Sequence, residues 1–428
     1  MTADSGTRAF TIINPAPVRR ISEASAAPIV SGAASNASRT GWIASAGGLA
    51  IECLSWEEAA RRTEAWRTLA AQALEANIFN EPDFALSAAQ HLPQAIRPMF
   101  LFVSQIETGG ISGLPVAIFA LEQPRGTGIF IDRLWCPPEM PVATPLIHPE
   151  YGFAALDLLQ EWLAREFPLM NGVVLTGLPV SGPFAVLVQS HSQARNLQTC
   201  QFDLRSRAVL SVGPDSEKRV TEWIGRKRTK EMRRLSRRLS EKGALEFASA
   251  RSRADAKSAA EQFLALEARG WKGRNQTALL SDPSLSTFLR TMSRRLSSRD
   301  SIEIDTLSVG GEALAIGIVL RSGDEAFFWK TAYNEDFAQY SPGVLLTLRM
   351  TARLLNDPAV RFVNSYAIPN HPMIDRIWPD RIGMMDLMIA IRGRSESRYV
   401  ATATVEGTRR KVRALAKRAY HSFKRQAA

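Results

Sequence analysis

The sequence predicts an α+β (α/β) protein made of two similar halves, each a mixed sheet covered by helices. Three observations carry that expectation. Apolar runs broken by Gly, Pro and Asp turns read as a strand meander in two places. Each meander leads into one helix with 3.6-residue apolar spacing and then into a further strand. And 428 residues are the length of two domains. The repeat is one of pattern, without obvious residue identity.

Residues 1–48 are rich in Ala, Ser, Gly and Thr and read as a disordered leader. The first half is expected over 49–205. Helical spacing covers 56–76, and Pro82 opens a second helix over 82–90. Strands follow at 99–105, 114–121 and 128–135, then a helix at 151–166 and a strand at 172–178. The second half is expected over 206–395. It has a helix at 256–268 and strands at 302–309, 312–320 and 325–330. Gly310-Gly311 and Ser322-Gly323-Asp324 are hairpin turns between those strands. A helix at 342–355, a strand at 360–365, a short helix at 372–378 and a last strand at 384–391 complete it. A basic helix at 406–425 lies in a terminal segment, 396–428.

The net charge is +11, which favours an anionic partner such as nucleic acid, an acidic cofactor or a membrane surface. The densest run, 218–242, reads as one helix with Trp223, Met232, Leu235 and Leu239 as a thin apolar stripe. It is either a solvated face or a phosphate-contacting arm. In the terminal helix Val412, Leu415, Ala416, Ala419, Tyr420 and Phe423 recur at helical spacing. That suits docking on the protein or on an anionic membrane surface. Cys53, Cys136 and Cys200 are widely spaced, so neither a zinc site nor a disulfide framework is expected, and a reducing, cytoplasmic setting follows. The start of the chain has no apolar core typical of a secretory signal. No run approaches the ~20 apolar residues of a membrane span.

One stretch looks built for an anion. After the strand from Glu325 come a polar loop and Ser341-Pro342-Gly343. Ser341 is placed to cap a helix, and Pro342 loses nothing at its first position. Gly343 leaves the backbone approachable. The free amides and positive helix end that result suit a pyrophosphate, though an ordinary capped helix reads the same way.

Four stretches together resemble the acetyltransferases linked to cellulose and exopolysaccharide production (CelD/BcsL type), in the GNAT superfamily. They are Glu75-Ala76-Asn77 with Phe79, Glu81, Pro82 and Phe84; Leu266-Glu267 with Gly270-Trp271-Lys272-Gly273 and Thr277-Ala278-Leu279; Trp329 to Tyr333 with Ser341-Pro342-Gly343; and Ala367 to Pro369 with His371-Pro372-Met373-Ile374-Asp375 and Trp378. The resemblance implies two tandem GNAT units, as in Fem-type transferases, with acetyl-CoA or another acyl-CoA as donor in the second. Helix-start amides at Ser341, Pro342, Gly343, Val344 and Leu345 would hold its pyrophosphate. The first half has Ala143-Thr144-Pro145-Leu146-Ile147 at that place, without glycine, and would shape the acceptor cleft. Its acceptor would be an amine or hydroxyl, a saccharide precursor by family association. Asn364 and Tyr366 depart from the family's Asp-Ser-Cys strand end, so if the usual Asp is a base, this protein either lacks it or uses another group.

His371 is then a base or a helix cap, and Asp375 either orients it or pairs with Arg376 or Arg381. Tyr333 and Tyr366 are proton donors to the departing thiolate or local hydrogen-bonders. Lys272 would meet phosphate or an acidic acceptor, with Trp271 beside it as a core residue. Asn364 lies on the substrate side, and Lys330 would pair with an anion or with Glu335. No metal site is expected. An aminoacyl-tRNA-dependent transferase, with tRNA the lesser option, and a degenerate scaffold at a membrane synthase are the alternatives.

Overall fold

The computed structural model describes residues 43–44, 48–92, 98–107, 110–122 and 131–426. In chain order the elements are β1 (Ile43–Ala44), β2 (Leu49–Leu54), α1 (Trp56–Ala60), α2 (Thr63–Ala70), α3 (Pro82–His91), β3 (Pro98–Glu107), β4 (Gly110–Glu122), β5 (Ile131–Arg133), β6 (Leu146–Ile147), α4 (Gly152–Glu166), β7 (Gly172–Pro179), α5 (Pro183–Ala194) and β8 (Thr199–Ser211). They continue with α6 (Ser216–Ile224), α7 (Arg226–Ser240), β9 (Leu245–Ala250), α8 (Arg253–Arg269), α9 (Trp271–Arg274), α10 (Pro283–Ser297), β10 (Ile302–Val309), β11 (Glu312–Ser322), β12 (Glu325–Tyr333), α11 (Pro342–Leu355), β13 (Phe362–Asn364), β14 (Asp380–Ala390) and α12 (Glu396–Gln426). Two compact units result. The described residues of one lie in 76–92 and 205–383, and those of the other in 43–44, 48–75, 98–204 and 384–426. Both are α+β, and their strand patterns are those of two GNAT-like units with mixed sheets.

In the carboxyl-terminal unit β9, β10, β11 and β12 form an antiparallel ladder. β12 then pairs parallel with β13, and β13 antiparallel with the end of β8. Sheet and helices close over Leu314, Ile316, Ile318, Leu346, Met350 and Leu354, all 0% exposed. At ~25 cal/mol per Å² of apolar surface, that burial is the main source of the unit's stability. Gly317 lets α11 come close, since a Cβ there would lie 3.3 Å from Leu346 Cδ2.

In the other unit β1, β2, β3, β4 and β6 form an antiparallel sheet. β5 pairs parallel with β7, and β14 antiparallel with β7. α4 packs Leu156, Leu158, Leu159, Trp162 and Leu163 into this unit's core. α12 is docked by its first turns. Tyr399 Oη donates to Met388 O at 3.0 Å, and Arg410 reaches Asp386 at 2.6 Å and Glu406 at 2.8 Å.

Several expectations change. The helix over 56–76 is broken after α1 and ends at Ala70, followed by turns. The basic run 218–242 is two helices, because Gly225 at φ 76 ends α6 and begins α7. α5 and α10 were not foreseen. The short helix over 372–378 is a single 3-10 turn, Ile374–Arg376. α12 starts ten residues before the predicted helix, and Val412 and Leu415 do not dock, being 60% and 62% exposed. Residues 1–42 of the expected leader, and the side chains of Tyr420 and Phe423, lie outside the described residues, while Ile43–Ala44 pairs with β2.

Glu75 ends the first stretch of the amino-terminal unit with its carboxyl group tucked against the start of α5. It accepts from Phe184 N–H at 3.1 Å and from Thr144 Oγ1 at 3.4 Å. Burial raises its pKa from 4.5 to about 7, against the pull of those two donors. A raised acid pKa stabilises the fold while the group is neutral, below about pH 4.5, and that contribution is lost as pH rises through 7. Glu75→Gln should therefore unfold with a flatter pH dependence between pH 5 and 8 in urea titrations. The parent should lose on the order of 2 kcal/mol more than the variant over that range.

Candidate functional site

The carboxyl-terminal unit opens where β12 leaves β13. Their parallel ladder covers only Glu325–Phe362, Ala326–Val363 and Phe327–Asn364, whereas β12 runs on to Tyr333. The ladder on its other side slips at the same level. Ile318 faces Lys330 and Val319 faces Phe328, so Trp329 is a bulge residue. A bulge turns the strand and strengthens its twist, here after the last residue paired with β13. Phe84 and Phe288 hold Trp329 edge-on, at 5.9 and 6.1 Å between ring centroids.

α11 begins beside this opening. Ser341 stands at φ 52, ψ 50, and its side chain makes no cap hydrogen bond. The expected side-chain cap is thus replaced by backbone. Oγ capping needs an extended N-cap residue, and a left-handed Ser341 instead turns the 3-10 segment Glu335–Tyr340 directly into α11. Its carbonyl accepts from Val344 N–H at 3.0 Å and Leu345 N–H at 3.1 Å. Pro342 has no amide proton, so Gly343 supplies the first helical N–H, one that an α-helix leaves without an internal acceptor. A Cβ at Gly343 would meet nothing nearer than the Tyr333 ring at 3.8 Å. Tyr333 is 39% exposed. Tyr333, Gly343 and the α11 start thus share one wall of the opening.

The late segment lies along α11. Thr347 Oγ1 donates to Gly343 O at 2.7 Å and sits 3.7 Å from Met373 Sδ. Trp378 Nε1 donates to Thr351 Oγ1 at 2.9 Å. His371 Nδ1 accepts from Met373 N–H and Ile374 N–H, both at 3.3 Å. Burial lowers the His371 pKa, with Asp375 opposing, so the ring is neutral at pH 7 with its proton on Nε2. That is the capping alternative, and it leaves no ring lone pair for a base. Arg381 bonds the Asp375 carbonyl at 3.1 Å and not its carboxylate. The Asp375 Oδ1 atom is buried with no hydrogen-bond partner among the described residues.

Other predicted residues are committed elsewhere. Asn364 is 4% exposed, and its Oδ1 accepts from Tyr366 N–H at 3.1 Å. Tyr366, at φ 51, stacks on Phe327 at 5.7 Å and meets Phe79 edge-on at 4.9 Å. Arg207 covers the Tyr366 ring at 5.2 Å. Lys272 is bound to buried Glu267 at 2.6 Å instead of facing the opening, and Glu267 also accepts Leu279 N–H at 2.7 Å. Trp271, expected in the core, is 51% exposed. Lys330 Nζ lies 4.9 Å from the Trp329 ring centroid. Glu335, its expected partner, accepts from Trp271 N–H at 2.7 Å and Arg274 at 2.6 Å.

Two cations were missed. Arg238 and Lys242, one turn apart at the end of α7, lie over the Tyr340 ring at 5.7 and 5.9 Å. Tyr340 immediately precedes Ser341, so both charges stand beside the α11 start. The basic run was legible, but not which of its faces meets Tyr340. In the amino-terminal unit the glycine at the start of the matching helix is Gly152, not among 143–147. A Cβ there would lie 2.8 Å from Leu187 Cδ2, so that helix start is packed shut.

No curated protein matches this chain in sequence. Among solved structures, FemX is 8% identical, with 75% of this chain and 95% of that chain covered and a TM-score of 0.49. A conserved protein of unknown function from Bacteroides thetaiotaomicron is 10% identical, with 77% and 97% covered and a TM-score of 0.49. The tandem GNAT protein of the clavulanic acid biosynthesis pathway is 15% identical, with 81% and 100% covered and a TM-score of 0.42. No helix among the described residues is long and apolar enough to cross a membrane, and they hold no cluster of metal-ligating side chains. Residues 226–364 match the family described as an acetyltransferase (GNAT) domain. That match runs from the start of α7 through β13 and takes in the bulge, Tyr340 and the α11 amides, so the carboxyl-terminal unit carries a GNAT acetyltransferase-type domain.

Proposed function

We propose that the carboxyl-terminal unit transfers an acyl group from acyl-coenzyme A to an amine or hydroxyl. The observation that carries this is the opening of β12 from β13 beside an α11 start with room for a Cβ at Gly343, within the segment matched to the acetyltransferase domain. The Gly343 and neighbouring amides take the pyrophosphate, and Arg238 and Lys242 add two mobile positive charges to it. The acyl thioester then extends along the unpaired edge of β12. Attack by the acceptor forms the new C–N or C–O bond, breaks the C–S bond and releases one proton from the acceptor and a thiolate from the donor. Asp375 Oδ1, a buried acceptor without a hydrogen-bond partner among the described residues, takes the acceptor's proton. Tyr333, at the mouth, supplies a proton to the thiolate. His371 shapes the turn that carries Asp375 and offers a donor through Nε2–H. Asn364, Trp271 and Lys272 hold turns that border the site.

The finer assignment follows the resemblance to exopolysaccharide-linked acetyltransferases. The acceptor is a saccharide or its precursor, the setting is cytoplasmic, and the exposed end of α12 rests on an anionic membrane surface.

Calorimetric titration with acetyl-CoA tests the donor. The parent should bind in the micromolar range. Gly343→Ala, which fits the available space, should keep its melting temperature and bind within a few-fold, while Gly343→Glu should lose binding at least tenfold. Absence of binding in the parent, or equal binding by Gly343→Glu, would sink the proposal.

In the same titration Arg238→Ala/Lys242→Ala should weaken acetyl-CoA at least tenfold and pantetheine hardly at all, because only the former carries phosphates.

His371→Ala should cost about 1 kcal/mol in urea unfolding, the usual cost of a lost cap. His371→Asn should restore it, since an amide Oδ1 can replace Nδ1. Asp375→Asn should leave acetyl-CoA binding intact and abolish thiol release in an amine and sugar screen. Thiol release by Asp375→Asn at the parent rate would remove Asp375 as the base.

A further inference from the structure

A second basic row lies on a face of α7 other than the one that carries Arg238 to Tyr340. A groove of about 640 Å³ runs between α6 and α7. Arg226, Lys230, Arg233 and Arg237 line it, with the Thr221 and Ser236 hydroxyls among them. The spacing of the cations, four, three and four residues, places them on one helix face. They extend over about 16 Å, or roughly one charge per 5.5 Å of helix axis. All four are exposed, and none is in an ion pair among the described residues. Arg234, on another face, is by contrast held by Glu231 at 2.7 Å. α7 as a whole has eight Lys or Arg and one Glu. Burial lowers the pKa of Arg228, and Arg376 nearby adds to the effect, so the positive field at this end of the unit is already crowded.

Such a row repels itself. In a solvated helix face, acidic residues at i±3 and i±4 would relieve that repulsion. The two so placed, Glu222 before Arg226 and Glu241 after Arg237, stand at the ends of the row and form no ion pair with it among the described residues, and Lys230 and Arg233 have none at that spacing. The missing counter-charge is therefore external. Its form follows from the lining. No aromatic residue is present on which a base or sugar could stack, so a single nucleotide would have no anchor. No apolar residue is present to enter a lipid interface, and the surface is concave, so a bilayer fits poorly. Regular cations with hydroxyl donors between them are the means by which proteins hold successive phosphates without reading bases.

We propose that this groove binds the phosphate backbone of a polynucleotide, independently of the acyl-donor site. Arg226, Lys230, Arg233 and Arg237 each meet one phosphate, and Thr221 and Ser236 donate to phosphate oxygens between them. Recognition is electrostatic and blind to sequence.

The test is fluorescence anisotropy of a labelled twenty-nucleotide oligouridylate with the full chain, between 50 and 200 mM KCl. Four displaced counterions on a single strand predict that log K falls against log salt with a slope near −3, about −0.7 for each phosphate. The quadruple variant R226Q/K230Q/R233Q/R237Q should bind at least tenfold more weakly at 100 mM KCl, with a slope shallower by about 3. R234Q should match the parent. Should the quadruple variant lose helix by circular dichroism, R226Q/K230Q and R233Q/R237Q are each expected to reduce the slope by about 1.4, two counterions at the same value. Calorimetry with acetyl-CoA should be unchanged in every variant, which separates this site from the donor reading. A parent-like slope in the variants would overturn the proposal. Competition by poly-L-glutamate equal to that by oligouridylate would also overturn it, as would loss of binding to anionic vesicles alone.

Discussion

The carboxyl-terminal unit depends on keeping one helix start unfilled while satisfying everything around it. Buried polar groups are costly unless paired, so an open α11 terminus has to be held from outside. Neighbouring groups do this. Glu335 fixes the segment before Ser341 by accepting from Trp271 N–H and Arg274. Thr347 returns its hydroxyl to Gly343 O, and Trp378 grips Thr351 one turn further on. The bulge at Trp329 turns β12 just beyond its last residue paired with β13. Left-handed backbone at Ser341, Tyr366 and Asn370 clusters in the same region. Such conformations cost of order 1–3 kcal/mol each and persist only where the surroundings impose them.

The stretches that carried the family resemblance turn out to be chiefly scaffold. Asn77 accepts from Phe79 N–H and caps the turn that delivers Phe79 to Tyr366 and Phe84. Glu81 bonds Ser322 at the end of β11. A Cβ at Gly273 would lie 1.8 Å from the Ala268 carbonyl oxygen, so only glycine closes the turn after α8. Glu267 holds that turn through Lys272 and Leu279. A lysine that read as a phosphate ligand is therefore half of a buried pair, where removing one partner leaves an uncompensated charge.

Periodicity and turn chemistry made β10, α11 and the hairpins legible to the residue, because each is set by local pattern and by Gly or Pro. Gly225 was equally visible, yet the apolar stripe through Trp223 and Met232 outweighed it, and one helix was read where there are two. α5 and α10 escaped because their polar positions are buried, Ser192 at 2% and Ser293 at 2%, and so blur the amphipathic signal. The site was legible as a spacing, Ser-Pro-Gly after a strand. Its other half was not, since only tertiary packing brings Arg238 and Lys242 to Tyr340, and only geometry shows that His371 Nδ1 is occupied.

The two units show how a single contact can close the space at a helix start. In both, a helix lies in the connection between two strands that pair in parallel, β5 with β7 and β12 with β13, and in both a glycine stands at the helix start. At Gly152 a leucine from the next helix takes the space. At Gly343 the corresponding position in the chain after β13 is a 3-10 turn, too short to reach across, and Met373 meets Thr347 one turn further into α11 instead. The length of that following helix decides the difference. The twelve residues of α5 bring an apolar side chain to the terminus, and the three of Ile374–Arg376 leave it clear. The shortened segment also presents His371 and Asp375 as a tight turn, with a carboxylate oxygen that has no hydrogen-bond partner among the described residues. The space at the α11 start and the tight turn at His371–Asp375 thus go together with the replacement of a helix by a single turn.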